Sequence, residues 1–212
     1  MSKVYLIITT CIKNNVGITW SDKRKQEYYL AIANALNLCP NEITPIIVEN
    51  SIENNKSYLD VFKCDILYTN DNSRLIEGDR LYHKGHRELI DINKVIDKYD
   101  IQPNDLIIKL TGRYLLFQND FFTTILANPD KDCFFRQYNV CTYEKDDISI
   151  VLGLFALRCK YFKVFEYKNH DVGAEEDFRT MINNYVDPSK IVKVERLWLR
   201  VFLGETGKML DV

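Results

Sequence analysis

The chain opens with a regular alternation of short apolar runs and amphipathic segments, and this alternation restricts its fold more than any other feature. Four runs predict strands: Val4–Thr9, Thr44–Val48, Asp65–Tyr68 and Leu106–Leu110. Two segments between them, Ser21–Leu36 and Gly85–Tyr99, carry apolar residues at helical spacing. Strands that alternate with helices build a mostly parallel sheet with helices on both faces. The first 110 residues therefore predict an α/β fold.

The chain after about Asp130 has a more mixed pattern. A short predicted helix at Phe121–Leu126 precedes this part, whose own predicted elements are strands at Cys133–Gln137 and Ile148–Ala156 and a helix at Glu175–Tyr185. The apolar tail Ile191–Leu203 carries interleaved charges, and its pattern does not distinguish helix from strand. We expect a mixed C-terminal part joined to the parallel sheet.

Length and composition exclude several classes of protein. The 212 residues, 46% of them hydrophobic, can bury the core of a single domain. A net charge of −2 gives no sign of a nucleic-acid-binding face. The six cysteines are scattered and none lies in a CxxC pair, which indicates free thiols in a reducing compartment. No run is long enough for a transmembrane helix, and we expect a cytoplasmic protein.

The segment Asp105–Tyr114 (DLIIKLTGRY) is the strongest candidate for a binding site. It places Lys109, Thr111, Gly112 and Arg113 where an apolar strand ends. Ligands of open α/β sheets bind at the carboxyl ends of the strands, and two cations with a hydroxyl and a glycine suit a phosphate. The alternative is a turn with two solvated cations. The dinucleotide fingerprint and the Walker lysine loop are both absent, which argues against those two phosphate sites.

This arrangement resembles the GT-A fold of nucleotide-sugar-dependent glycosyltransferases. More narrowly, it is similar to small enzymes of polysaccharide gene clusters and large DNA viruses that carry a KLTGRY-type strand end. The resemblance extends from Val4 to about Tyr185. It implies a donor-nucleotide half at residues 1–115 and an acceptor half at 116–212. It also implies location in the cytoplasm, that of the host if the chain is viral.

The resemblance assigns donor-binding roles to polar residues at the first three strand ends. Those for nucleobase and ribose are Thr9, Thr10, Lys13, Glu49 and Asn50. Asn70 follows the third strand, and Lys84 opens the next helix, where a cation and free amides favour a diphosphate. For each residue alone, ordinary polarity at the end of a strand or the start of a helix is the alternative.

The fourth strand end departs from the family pattern. Most GT-A enzymes carry an Asp-x-Asp pair there for a divalent metal, whereas this chain has Lys109-Leu110-Thr111. Fixed cations at Lys109, Arg113 and Lys84 can stabilise the leaving diphosphate electrostatically. No residue is assigned as a metal ligand, and Mn²⁺ or Mg²⁺ stays open as an alternative.

The acidic cluster Gly173–Asp177 (GAEED) resembles the acidic pair with which inverting GT-A enzymes begin an acceptor-side helix. One carboxylate would take the proton of the acceptor hydroxyl. Glu176 and Asp177 are the candidates, with Glu175 third. Acids in a first helical turn also complement the helix dipole, and that is the structural alternative.

The leading hypothesis is an inverting glycosyltransferase that moves a hexosyl or related sugar from a nucleotide sugar to a glycan or glycoprotein hydroxyl. A sugar nucleotidyltransferase would carry a glycine-rich loop after the first strand, but the segment TTCIKNNVG has one glycine. A non-catalytic nucleotide-sugar-binding or glycan-binding domain is the third reading. The missing Asp-x-Asp pair favours it, and Lys109 with Arg113 argues against it.

Overall fold

The computed structural model describes residues 2–13, 22–52, 56–69, 84–139, 149–165, 174–202 and 209–212. For residues 84–86 and 202 the description covers the backbone alone.

The elements follow one another in the order that the alternation predicts. The first part forms β1 (Val4–Thr10), α1 (Asp22–Leu38), β2 (Ile43–Glu49), a 3₁₀ turn (Tyr58–Val61), β3 (Asp65–Tyr68), α2 (Lys84–Lys98) and β4 (Leu106–Thr111). The second part forms β5 (Leu115–Leu116), α3 (Asp120–Ala127), β6 (Cys133–Phe135), β7 (Leu154–Arg158), α4 (Cys159–Phe162), α5 (Ala174–Tyr185), a 3₁₀ turn (Pro188–Lys190), β8 (Ile191–Lys193), β9 (Leu199–Phe202) and β10 (Met209–Asp211).

The central sheet has seven strands in the order β3-β2-β1-β4-β7-β6-β8. Strands β1 to β4 are parallel, and β7 runs against both of its neighbours, β4 and β6. Since β8 is parallel to β6, six of the seven strands run the same way. This confirms the predicted α/β class with a mostly parallel sheet.

Both faces of the sheet are covered by helices, which explains the continuous apolar runs. Alternate side chains of β1 enter opposite cores, since successive residues of a strand point to opposite faces. Leu6 and Ile8 pack with α1 and α3, whereas Tyr5 and Ile7 pack with α2 and α5. The tail Ile191–Leu203, whose type the sequence left open, contributes β8 to this sheet and β9 to a second one.

The second sheet is small and antiparallel, in the order β10-β9-β5. Its Leu199 and Val201 are buried in the core cluster that includes α1, and Asn34 of α1 donates to the Leu116 carbonyl. It therefore covers one end of the α1 layer.

The predicted strand Ile148–Ala156 is wrong in its bounds. Ile150 makes one isolated bridge with Gln137, and the strand proper begins at Leu154 and continues to Arg158. A turn at Leu152 and Gly153 separates the two, and the Gly153 carbonyl accepts from the Thr111 amide at the end of β4. Within the described ranges, no helix has both the length and the apolarity needed to cross a membrane.

Candidate functional site

The carboxyl ends of β1, β2 and β4 lie level at one edge of the sheet. Thr10 pairs with Glu49 and Thr9 with Thr111 in the strand registers. The amide of Asn50 donates to the Thr10 carbonyl at 3.2 Å. Just beyond the strands, the Thr69 amide donates to the Glu49 carbonyl and the Gly112 amide donates to the Thr9 carbonyl. Sequence-predicted residues from three separate segments are therefore brought together.

Glu49 is fully buried and holds the loops that follow β1 and β2. Its carboxylate accepts from the Thr10 hydroxyl at 2.6 Å, the Ser51 amide at 2.8 Å and the Ile12 amide at 3.2 Å, and also from the Ser51 hydroxyl. Burial raises the pKa of Glu49, and these hydrogen bonds oppose the rise. The geometry gives Glu49 an architectural role, and its contact with a nucleotide stays a prediction.

The other predicted residues on β1 and its loop differ in exposure. Thr9 and Thr10 are both buried. Lys13 has an exposed side chain, while its amide donates to the Ser51 hydroxyl at 2.7 Å. Contact of the Lys13 side chain with a ligand stays a prediction.

Helix α1 fixes the chain just beyond β1 through residues that the sequence analysis did not single out. Arg24 is buried and donates to the Cys11 carbonyl at 3.2 Å, and the Tyr28 hydroxyl accepts from the Cys11 amide at 3.1 Å. Burial, with Glu49 adding to it, raises the pKa of the Cys11 thiol to about 12. A thiol with a raised pKa stays protonated at neutral pH, which argues against a nucleophilic role for Cys11.

Asn50 joins β2 to α2 and leaves one polar atom unused. Its amide nitrogen donates to Asp91 at 2.6 Å, and the Thr69 hydroxyl donates to the same carboxylate at 3.3 Å. The Asn50 Oδ1 atom is buried and has no hydrogen-bond partner among the described residues. An orphaned acceptor at a strand end is suited to a ligand N–H or O–H. Asn70, the next predicted residue, lies outside the described residues.

Glu88 of α2 binds side chains at the ends of both β1 and β4. The sequence analysis did not identify Glu88 as a site residue. One carboxylate oxygen accepts from the hydroxyls of Thr9 and Thr111 at 3.1 and 3.2 Å, and the other lies 2.6 Å from the Lys109 ammonium. The Glu88 side chain is 28% exposed, so this cluster reaches solvent at Glu88.

A sequence signal for Glu88 does exist. In α2 the residues Leu89 and Ile92 are buried in the core, and the acids Glu88 and Asp91 lie next to them on the helix. Two acids at the border of the apolar face must meet polar groups of the sheet, because an unpaired buried carboxylate is costly. That border pattern, rather than any motif, predicts a helix-to-strand-end contact.

Lys109 is enclosed, with 2% of its side chain exposed. Its ammonium has three acceptors: Glu88 at 2.6 Å, the Thr111 hydroxyl at 2.6 Å and the Leu152 carbonyl at 2.8 Å. An ammonium has three N–H donors, so this set uses all of them. Direct binding of a phosphate by Lys109 stays a prediction, and it requires that one of these contacts be given up.

Gly112 is required by its own neighbours. A β-carbon there would lie 2.8 Å from the Thr10 methyl and 2.9 Å from the Thr9 carbonyl oxygen, which accepts from the Gly112 amide. The glycine therefore allows the turn after β4 to lie against β1, whatever it does for a ligand.

Arg113 is the cation of this strand end with donors to spare. Its guanidinium approaches Glu27 of α1 at 3.5 Å, the limit of a hydrogen bond, and 13% of its side chain is exposed. The described part of the chain gives its other N–H groups no partner. A guanidinium can bind two phosphate oxygens at once, so Arg113 is better placed than Lys109 to meet a diphosphate.

The first turn of α5 lies on the same side of the sheet as Lys109 and Glu88. Phe178 of α5 packs on Phe155 of β7 with ring centroids 4.5 Å apart, and Phe155 is the register partner of Lys109. Glu88, Lys109, Phe155 and Phe178 line one small cavity of about 20 Å³. The acids of the first turn, Glu175 to Asp177, directly precede Phe178 in the chain.

The three acids of that turn differ in their surroundings. Glu176 is exposed, and Glu175 and Asp177 are half-buried. The Oδ2 atom of Asp177 is buried and has no hydrogen-bond partner in the described part of the chain. All three stay predictions as the catalytic base.

Dependence on a divalent metal stays an open alternative at this strand end. Among the described residues there is no group of three His, Cys, Asp or Glu side chains that could hold one. Glu88 is already paired with Lys109 at the strand end where the metal motif would lie. The side chain of Lys84 is not among those described.

The mostly parallel seven-stranded sheet with helices on both faces is a GT-A-like α/β fold. A solved structure from Desulfovibrio desulfuricans, described as a nucleotide-diphospho-sugar transferase, has a similar fold, with a TM-score of 0.55 and 12% sequence identity. The alignment covers 92% of this chain and 80% of the other chain. At that identity the likeness shows the fold alone. No family model and no curated protein matches the sequence.

Two further solved structures align over 92% of the chain at lower similarity. The glycosyltransferase GlyE of Streptococcus pneumoniae gives a TM-score of 0.48 at 9% identity, and the chain spans 46% of its length. A glycosyltransferase involved in glycosylation of the major capsid of PBCV-1 gives 0.46 at 11% identity over 84% of its length.

Proposed function

We propose that this protein is a glycosyltransferase that moves a hexosyl or related sugar from a nucleotide sugar to a hydroxyl of a glycan or glycoprotein. One observation carries the proposal: the ends of β1, β2 and β4 meet at the carboxyl edge of a GT-A-like sheet, and Glu88 of α2 accepts hydrogen bonds from two of them. The chain is proposed to be of the KLTGRY type and to act in polysaccharide or glycan synthesis. A cytoplasmic location is supported by Cys133 and Cys159, which are buried free thiols.

The donor would occupy the edge formed by β1, β2 and β4, in the half 1–115. The orphaned Asn50 oxygen and the exposed Lys13 are proposed to contact base or ribose, with Thr9, Thr10 and Glu49 holding the loops in place. Asn70 and Lys84 keep their predicted donor roles.

The diphosphate would lie over the turn after β4. Arg113 supplies free N–H donors there, and Thr111 and Gly112 shape the turn. As the bond between the anomeric carbon and the diphosphate breaks, negative charge grows on the leaving oxygen, and a fixed guanidinium stabilises it. Lys109 is proposed to act indirectly, without touching the diphosphate. Its ammonium neutralises Glu88, so that the diphosphate does not face an unpaired carboxylate.

The acceptor hydroxyl would attack the anomeric carbon while a carboxylate of the α5 first turn takes its proton. Glu176 and Asp177 are the proposed bases, and Glu175 is the third. One bond forms as the other breaks on the opposite face of the sugar, so the configuration at the anomeric carbon inverts.

Calorimetry with UDP-, GDP- and dTDP-sugars, each with and without Mn²⁺, tests the donor site. We expect at least one to bind, and Arg113→Ala to weaken that binding by about ten-fold, since charge-assisted bidentate contacts are strong. Lys98→Ala, at the exposed C-terminal end of α2, is the matched control and should bind as the wild type does. Binding of none of the sugars would overturn the proposal.

A further inference from the structure

A second cavity, of about 460 Å³, lies between α5 and the strands β6 and β8. Phe135, Ile182 and Ile191 give it apolar walls, and Gln137, Asn183 and Arg179 add polar groups. Its size is that of a small-molecule site and far exceeds a packing defect. It is separate from the cavity that Glu88 and Lys109 line.

The charge in this cavity has one sign. Arg179 of α5 and Lys193 of β8 both line it, and its described lining contains no carboxylate. Neither cation makes an ion pair or hydrogen bond within the described part of the chain. Elsewhere this protein pairs such groups: Arg158 and Lys160 both meet Asp132. Two unpaired cations beside apolar walls favour an anionic ligand.

The cavity reaches the carboxyl ends of β6 and β8, where Phe135 and Lys193 line it. Strands β6 and β8 run parallel to β4, and Phe135 pairs with Lys193, so both strands end at the same edge as the donor site. Helix α5 returns to β8 through a short turn, so α5 begins near that edge. Glu175 and Glu176 precede Arg179 by one helical turn and therefore lie on the same helix face.

We propose that this cavity binds the acceptor, and that the acceptor is a saccharide with an acidic group, a carboxylate or a phosphate. This inference rests on the proposed function and names its acceptor class. Arg179 and Lys193 hold the acidic group, Asn183 and Gln137 meet hydroxyls, and the apolar walls pack on the sugar ring. The reacting hydroxyl then points toward the start of α5, where Glu175 and Glu176 share the face of Arg179.

Ligand-observed NMR with the full chain tests the proposal. The probes are methyl glucuronoside, methyl glucoside, which differs by the loss of the carboxylate, and glucose 6-phosphate. We expect an acidic probe to bind more tightly than the glucoside by about ten-fold, and Arg179→Gln or Lys193→Gln to remove most of that preference. Lys163→Gln, an exposed cation outside the cavity, is the control and should preserve it.

Preference for the glucuronoside or for the phosphate supports the proposal and identifies the acidic group. Equal binding of acidic and neutral probes, binding of neither, or an unchanged preference in both variants overturns it. Donor calorimetry on Arg179→Gln should match the wild type, so an acceptor failure with intact donor binding leaves the proposed function standing.

Discussion

The ring of Tyr114 lies directly over Gly153, so close that a β-carbon on Gly153 would be 2.3 Å from the Tyr114 Cε2 atom. The two residues belong to different turns, one after β4 and one before β7. The backbone repeats the link, because the Thr111 amide donates to the Gly153 carbonyl at 2.9 Å. The tyrosine that closes the KLTGRY motif is therefore a packing partner of a glycine about forty residues later.

Gly153→Ala should destabilise the protein by about 1–3 kcal/mol, because the added methyl forces the Tyr114 ring to move. Urea unfolding measures the change. The double variant Gly153→Ala, Tyr114→Ala removes the clash, and it should cost less than the two single changes summed. Additive costs would contradict the contact.

Glu88→Gln should destabilise the protein more than Lys109→Met does. The first change leaves a buried ammonium without its counterion, and breaking a buried pair costs about 3–5 kcal/mol. The second leaves a carboxylate that is 28% exposed and still accepts from Thr9 and Thr111. Chemical denaturation provides both values. The double variant should be more stable than Glu88→Gln alone, and a double variant less stable than either single would refute the pairing.

The stability of the protein should fall as pH rises through the raised pKa of Glu49. The folded state keeps the Glu49 proton at pH values where the unfolded chain, with an ordinary pKa of 4.5, has lost it. The contribution is therefore complete below that ordinary pKa and is lost above the folded one. Urea midpoints between pH 4 and 8 measure the slope. Glu49→Gln should flatten it, and parallel curves for the two proteins would show that another group is responsible.

Glu176→Gln and Asp177→Asn should separate transfer from donor binding. Loss of the catalytic base lowers turnover by about 10²–10⁴-fold, while calorimetry should give wild-type affinity for the nucleotide sugar. Glu42→Gln, at an exposed turn before β2, is the control for a lost surface charge. Full turnover in both variants, and in Glu175→Gln, would move the base away from α5.

The fold could be predicted because strands covered on both faces have apolar runs that a sequence displays directly. Leu6 and Ile7 point into opposite cores, so consecutive positions of the run VYLIIT are apolar and the strand can be read directly from the sequence. The bounds of β7 could not be predicted in this way. The strand begins after a turn at Leu152 and Gly153, and the contact of Gly153 with Tyr114 joins distant segments in a way that the apolar pattern does not encode.

The predicted strand-end residues lie together in the structure, but most of their contacts were not predicted, and their role as a donor site stays a prediction. The strand ends identified Thr10, Glu49 and Arg113, since polar residues after apolar runs are visible in the sequence. The surroundings of Lys109 were not visible, because Glu88 lies on a helix and the Leu152 carbonyl belongs to a distant turn. A charge at a strand end appears the same in a sequence whether it is solvated or enclosed.

The ammonium of Lys109 bonds to Glu88 from the proposed donor half and to the Leu152 carbonyl from the proposed acceptor half. The Lys109 side chain therefore links the proposed donor half to the proposed acceptor half, so a change at Lys109 can displace parts of both proposed sites. Steady-state kinetics of a Lys109 variant should show altered KM values for both substrates at once. A change measured with the nucleotide sugar alone would be easy to misread as a lost phosphate contact.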